Sequence, residues 1–251
     1  MKIFEQISGL LQQGRAKEVQ ETIKKALAFL HSCQEPEGKW GSGYKMWESY
    51  LTAWAVYAYL RCGILLTSKL IMKSWLWLTT KQNKDGSYKE NNQGYKSNTC
   101  CTAYVLRTMA LLKNSLDDQK EQGLNWLINC QNKDGGFGIY PGDKSNPLIT
   151  ATVLNGIIDL NNHFKGNLGQ KGLGYLTSSQ SDNGYWIGFN EQSNNINETA
   201  SVLYLLTKAN IRGVPIQKAF NYLELKTQME KWRSLPLADI INLALAFKAR
   251  S

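Results

Sequence analysis

Residues Asn129 to Leu154 read NCQNKDGGFGIYPGDKSNPLITATVL. The stretch opens with a turn at Asp134-Gly135-Gly136, sets Phe137 just after the glycines, and passes into an apolar run of helical character. A loop of this kind can cradle a phosphate, hold a ligand or join two elements. No Gly-Lys-Ser/Thr follows it, which removes the P-loop reading. The choice between ligand loop and joint depends on whether the pattern recurs.

It does recur. Gln-x-x-x-Gly-x-aromatic is found as Gln34-Gly38-Trp40, Gln82-Gly86-Tyr88, Gln131-Gly135-Phe137 and Gln180-Gly184-Trp186, at spacings of 48, 49 and 49 residues. A degraded copy begins at Gln228, with Trp232 but no glycine. The flanks repeat as well. An aromatic-Leu pair precedes each glutamine: Phe29-Leu30, Trp77-Leu78, Trp126-Leu127, Tyr175-Leu176 and Tyr222-Leu223. A Thr-Ala pair follows each loop: Thr52-Ala53, Thr102-Ala103, Thr150-Ala151 and Thr199-Ala200. Such agreement in register marks an internal repeat.

Each copy reads as a leading helix, a glycine turn and a following helix. In the third copy Ala151, Val153, Leu154, Ile157 and Ile158 fall at helical spacing. Asn146 before Pro147 is the arrangement of an N-cap and first helical position. Asn195-x-x-Glu198 resembles a capping box. Breaks fall at Gly63, Asn114–Asp117, Asn161–Gly166 and Ile211–Pro215. No strand-like alternation competes, so the expected class is all-α. Helical hairpins stack as an open solenoid or curl into a ring. Five copies and a further helix over Phe4–Gln13 are about what a ring needs, and the whole chain, 1–251, is expected to form a single domain.

Composition narrows the class further. Of 251 residues, 43% are apolar and 20% charged, as in an ordinary globular protein, while the 11% aromatic content is high. The formal charge is +9, which favours anionic partners. The basic residues are scattered and no helix-turn-helix, zinc-finger or RNP-like signature occurs, so no specific nucleic acid is expected. The five cysteines, Cys33, Cys62, Cys100, Cys101 and Cys130, form no CxxC and read as reduced thiols in a cytoplasm. The longest apolar stretch, Tyr50 to Leu60, is too short to span a bilayer. A peripheral membrane surface or a partner protein stays open.

Gln-x-x-x-Gly-x-Trp resembles the QW repeat of squalene and oxidosqualene cyclases. NINETASVLYLL and SNTCCTAYVLRTM look like the second helices of those cyclases and of protein prenyltransferase β-subunits. The resemblance runs from about residue 17 to the end. It implies an α/α toroid, with an inner and an outer ring of helices around an aromatic-lined cavity, the glutamine and aromatic tying the end of an outer helix to the start of an inner one. A glutamine can satisfy the orphan amides or carbonyls of such helix ends.

The family's chemistry is matched less well. Squalene-type cyclases protonate an alkene with the acid of a DxDD motif, held neutral by its surroundings. No DxDD occurs; Ser115-Leu116-Asp117-Asp118 lacks the first Asp and reads as a helix start. Prenyltransferases hold zinc with an Asp and a Cys two apart at the start of an inner helix, and a distant His. The corresponding pairs here are Glu48 and Tyr50, Asn98 and Cys100, Asn146 and Leu148, and Asn195 and Asn197. None is Asp with Cys, and the only histidines are His31 and His163. No metal or cofactor is therefore expected. A zinc site from Cys100 or Cys101 with His163 has no ligand spacing in its favour, and the two cysteines read as buried thiols.

On the family analogy, the positions four, two and one before the threonine, and two after it, face the cavity. The expected site is accordingly Glu48 and Glu198 as candidate catalytic acids, with Tyr50, Trp54, Asn98, Cys101, Tyr104, Arg107, Asn195 and Asn197 as substrate contacts. For Glu198 and the asparagines, helix capping competes with a role in binding. For Arg107, a basic chain reaching solvent competes with one meeting an anionic head group. Two functions follow. One is a terpene cyclase- or prenyltransferase-like protein acting on an isoprenoid, with aromatic faces stabilising carbocation character. The other is a non-catalytic scaffold that binds a lipid, a peptide or a partner protein.

Overall fold

The computed structural model describes residues 27–41, 48–65, 67–89, 96–111, 117–161, 166–189 and 195–229. The expected helix over Phe4–Gln13, Ser115 with Leu116, His163, Trp232 and the side chain of Gln228 lie outside the described residues. The described chain is helical: α1 (Glu48–Arg61), α2 (Lys69–Thr79), α3 (Thr99–Leu111), α4 (Asp117–Asn129), α5 (Pro147–Asn161), α6 (Asn167–Ser178), α7 (Ile196–Lys208) and α8 (Val214–Met229). A helical segment at 27–32 precedes them. Among the described residues β pairing is limited to the isolated antiparallel bridges Gln82 to Tyr88 and Lys89 to Ser97.

The helices alternate as the repeat requires. Segment 27–32, α2, α4, α6 and α8 are leading helices, and α1, α3, α5 and α7 are following helices. Their burial differs. Every residue of α5 from Thr150 to Ile157 is buried, including Thr150, Thr152 and Asn155. The leading helices bury one stripe, in which Leu78, Leu127, Leu176 and Leu223 lose all their exposed surface. Apolar spacing found the following helices but understated how completely they are enclosed.

The recurrent loop is the joint. At each glycine φ is positive, +97° at Gly38, +90° at Gly86, +88° at Gly135 and +90° at Gly184, a region that costs residues with a Cβ. A Cβ there would also strike the backbone of the next leading helix, at Lys73, Gln122, Lys171 and Lys218 respectively. The loop therefore lies directly on that helix. The glutamine side chain fastens it: its Nε2 donates to the carbonyl of its own loop glycine and to a first-turn carbonyl of the next leading helix. Those second acceptors are Leu70 (3.1 Å), Gln119 (2.8 Å), Leu168 (2.9 Å) and Pro215 (2.9 Å). The expectation that the glutamine serves the helix ends within its own copy is thus corrected. A first-turn carbonyl has a second lone pair to offer, and the glycine lets the loop come close enough to use it.

The Thr-Ala pair has a matching task. The backbone amides of Trp40, Tyr88, Phe137 and Trp186 donate to Oγ1 of Thr52, Thr102, Thr150 and Thr199 at 2.9–3.2 Å. Each buried aromatic is thereby pinned to the following helix. The indoles of Trp40 and Trp186 also donate back to the carbonyls of Leu30 and Leu176 at 2.7 and 2.6 Å.

The described chain divides into two compact units. The first holds the residues up to Cys130 together with Gly156–Asn161; there α1 packs on α3, α2 on α1 and α4 on α3. The second holds Gln131–Asn155 and the residues from Gly166 onward; there α8 packs on α7, and Gly172 of α6 seats Leu154 of α5.

Candidate functional site

In the first compact unit, the start of α1 and the middle of α3 bring aromatic side chains together. Tyr50 meets Tyr104 edge to face at 4.9 Å between ring centroids, and Trp54 lies one turn along α1 at 6.3 Å from Tyr50. Edge-to-face geometry is favoured by the ring quadrupoles. All three stay half-buried, although their helices are otherwise mostly enclosed. Desolvation nevertheless pushes the Tyr50 phenol well above its ordinary pKa and that of Tyr104 to about 12. The Tyr50 hydroxyl donates to that of Tyr104, which raises Tyr50 further. Both phenols stay protonated at neutral pH.

Behind this cluster sits a buried cation. Arg107, one turn after Tyr104 on α3, is 6% exposed, so it does not reach solvent as a helix-end lysine would. Its Nε donates to Asp159 at 3.0 Å, and its Cζ lies 4.6 Å from the Tyr57 ring centroid. Asp159 compensates the buried charge, and the ring supplies a second favourable surface. The expected solvent-facing alternative for Arg107 is thereby overturned. Tyr57 and Asp159 were missed in the sequence. Tyr57 was within reach: it follows Thr52 by five residues as Arg107 follows Thr102, so neighbouring helices set the two side by side.

The other site candidates separate by task. Asn98 is wholly buried and accepts from the amide of Cys101 at 2.9 Å, the N-cap of α3. Asn146 does the same for Leu148 and Ile149 in α5. Cys101 has no exposed surface, and its thiol points to the Lys89 carbonyl at 3.6 Å. Glu48 is buried and pairs with Lys39 at 2.5 Å, while Lys39 also reaches Glu35 at 3.4 Å. The Glu48 hydrogen bond, the largest effect, and the two nearby carboxylates hold the Lys39 ammonium above its ordinary pKa. Glu48 is thus engaged in an ion pair. Lys39 was not anticipated, because the loop alone carries no signal of which side chain folds back onto α1.

In the second compact unit, Asn195 adopts a left-handed backbone, φ 52°, and its side chain makes no capping hydrogen bond. The expected capping box is therefore not formed. Instead Glu198 packs its carboxyl on the backbone of Gly188, and a Cβ on that glycine would collide with it. Burial raises its pKa, and a hydrogen bond from its own amide lowers it in part. Burial thus moves Glu198 toward its protonated form relative to an exposed carboxyl. Asn197 is half-buried beside it in sequence. Among the described residues no three His, Cys, Asp or Glu side chains gather as a metal would need.

Known proteins share this architecture. The family described as "Prenyltransferase alpha-alpha toroid domain" matches residues 6–145 and, overlapping, 92–231. Protein farnesyltransferase subunit beta of Arabidopsis thaliana is 28% identical over 152 residues, 59% of this chain and 31% of that protein. A squalene–hopene cyclase of Bradyrhizobium diazoefficiens is 28% identical over 140 residues, 51% of this chain and 21% of that enzyme. The matched part of the chain thus spans about a third or less of these relatives. Among solved structures, the type II terpene cyclase MstE from Scytonema superposes with a TM-score of 0.74 at 17% identity, covering 91% of this chain and 72% of that one. A variant of the same cyclase, in complex with geranylgeranyl dihydroxybenzoate, superposes with a TM-score of 0.67 at 15% identity, covering 98% and 78%. These likenesses establish the α/α toroid as the fold class.

Proposed function

Because the chain belongs to the prenyltransferase alpha-alpha toroid domain family, we propose that it takes a hydrophobic isoprenoid against the aromatic surface of Tyr50, Trp54 and Tyr104. The observation that carries this reading is the gathering of the three rings, 4.9 Å from Tyr50 to Tyr104 and 6.3 Å from Tyr50 to Trp54, with each ring keeping accessible surface. Flat aromatic faces suit both a polyene chain and any positive charge that develops along it. The solved cyclase captured with geranylgeranyl dihydroxybenzoate supports an isoprenoid over other apolar ligands. Glu198, in the second compact unit, is a separate candidate acid, its carboxyl shifted toward the protonated form by burial.

Binding without catalysis is the second reading, and the Glu48–Lys39 pair favours it, since that pair withdraws one of the two candidate acids. The test is to incubate the protein with squalene and with geranylgeranyl diphosphate, follow products by gas chromatography–mass spectrometry, and look for bound lipid by native mass spectrometry. Trp54→Ala is expected to weaken binding by about 30-fold, from roughly 2 kcal/mol for one buried apolar side chain. Turnover lost in Glu198→Gln supports the cyclase reading, while binding without product supports the scaffold. Neither bound isoprenoid nor product, with both compounds, overturns the proposal.

A further inference from the structure

The outward side of α2 breaks the pattern of its own repeat. Counted from the leucine that ends the aromatic-Leu pair, the positions six, five and two residues earlier are exposed in four leading helices. In α4 they hold Glu121, Gln122 and Asn125, in α6 Gln170, Lys171 and Gly174, and in α8 Gln217, Lys218 and Asn221. In α2 they hold Met72, Lys73 and Leu76. Met72 is 44% exposed and Leu76 60% exposed, and Leu65, in the turn before the helix, is 70% exposed. Single exposed apolar residues need no explanation. Here, however, the fold supplies its own control: three equivalent helices fill the same outward positions with polar residues or glycine. Packing therefore does not require Met72 and Leu76.

Charge indicates what covers them. From Arg61 to Lys81 the chain carries four basic residues, Arg61, Lys69, Lys73 and Lys81, and no aspartate or glutamate. Lys69 and Lys73 are exposed on α2 among the apolar residues. Lys81 lies with its ammonium 4.8 Å from the ring centroid of Trp77, itself half-buried. The equivalent α4, by contrast, opens with Asp117 and Asp118. An apolar stripe flanked by lysines and an amphipathic aromatic has the chemistry of a helix lying in the interface of an anionic membrane. No described helix is long and apolar enough to cross one, so the contact would be from the surface.

We propose that α2, with Leu65, is the membrane-docking face of this protein and that it recognises anionic lipid. Leu65, Met72 and Leu76 enter the headgroup region, and Lys69, Lys73 and Lys81 bind the lipid phosphates. This proposal is independent of the isoprenoid reading, because α2 carries none of the residues named there.

Vesicle flotation with the full chain tests it. The protein is expected to float with vesicles of phosphatidylcholine containing phosphatidylglycerol, to float poorly with phosphatidylcholine alone, and to be released by high salt. Met72→Glu with Leu76→Glu should cut partitioning by at least ~10-fold, since both apolar contact and charge attraction are lost. Asn125→Glu, at the equivalent outward position of α4, should leave it unchanged. Because the altered side chains point outward, circular dichroism and the melting temperature should match those of the unaltered protein. Equal flotation of the unaltered and double-substituted proteins overturns the proposal, as does no flotation with anionic vesicles. A dimer in sedimentation equilibrium that the same double substitution dissociates would overturn it too, by showing that a second copy of the chain covers this face.

Discussion

The backbone amide of Phe137 donates to Oγ1 of Thr150 at 2.9 Å, and both groups are buried. The same bond recurs in the other three copies, so one hydroxyl per copy fixes the loop to the helix that follows it. Thr150→Val keeps the shape and removes the acceptor. It should destabilise the protein by about 1–3 kcal/mol, the cost of a buried amide left without a partner. Thr150→Ser should recover most of that loss. Urea denaturation of the three proteins measures it, and equal midpoints for Thr150→Val and the unaltered chain would refute the assignment.

Two glycines separate the effect of backbone conformation from that of contact. Gly135 and Gly142 both have positive φ, +88° and +85°, but a Cβ meets the Lys171 backbone only at Gly135 and open space at Gly142. Gly142→Ala should cost about 1 kcal/mol for the unfavourable φ alone. Gly135→Ala should cost at least twice that, because loop and helix must separate. Similar thermal shifts for the two variants would mean that the close approach contributes nothing.

The pH dependence of Glu198 has a definite sign. Its folded pKa lies above the ordinary carboxylate value of 4.5, so between those two values the folded state binds more protons than the unfolded state. Its contribution to stability is therefore full below the ordinary value and is lost as pH rises through the raised one. Glu198→Gln, which stays neutral, should gain stability relative to the unaltered protein as pH increases from about 4 to about 7. Urea midpoints at several pH values would show the two curves diverging; parallel curves would place Glu198 in an unperturbed setting.

Arg107 and Asp159 should behave as a coupled pair. Arg107→Met removes the cation and leaves Asp159 largely enclosed, at a cost of roughly 3 kcal/mol. Adding Asp159→Leu removes the stranded charge and should restore much of the stability. A double-mutant cycle measured in denaturant gives the coupling directly. Additive effects would show that the pair does not hold α3 to the end of α5.

The repeat could be read because its parts are local. Helix starts at Asn146-Pro147, glycines that need positive φ and leucines on a buried stripe leave their marks within a few residues of one another. The partners of the site residues are not local. Glu48 meets Lys39 only once the loop folds back, and Arg107 meets Asp159 across 52 positions. The capping box expected at Asn195 failed because the backbone there is left-handed and its side chain makes no bond to the helix start, and spacing alone does not report φ.

The glutamines illustrate the same division. Their spacing and their glycines are sequence facts, and these alone establish that the chain is a series of helical hairpins with a common joint. What each glutamine grips was decided in three dimensions. Nε2 of Gln131 reaches the carbonyl of Leu168, 37 positions on, because a glycine without a Cβ lets the loop settle on the next helix. The sequence likewise contained Met72 and Leu76, but as ordinary apolar residues of a helix. Only the packing of α2 turned them outward, since burial depends on which side of a helix its neighbours occupy and not on the residues of that helix alone.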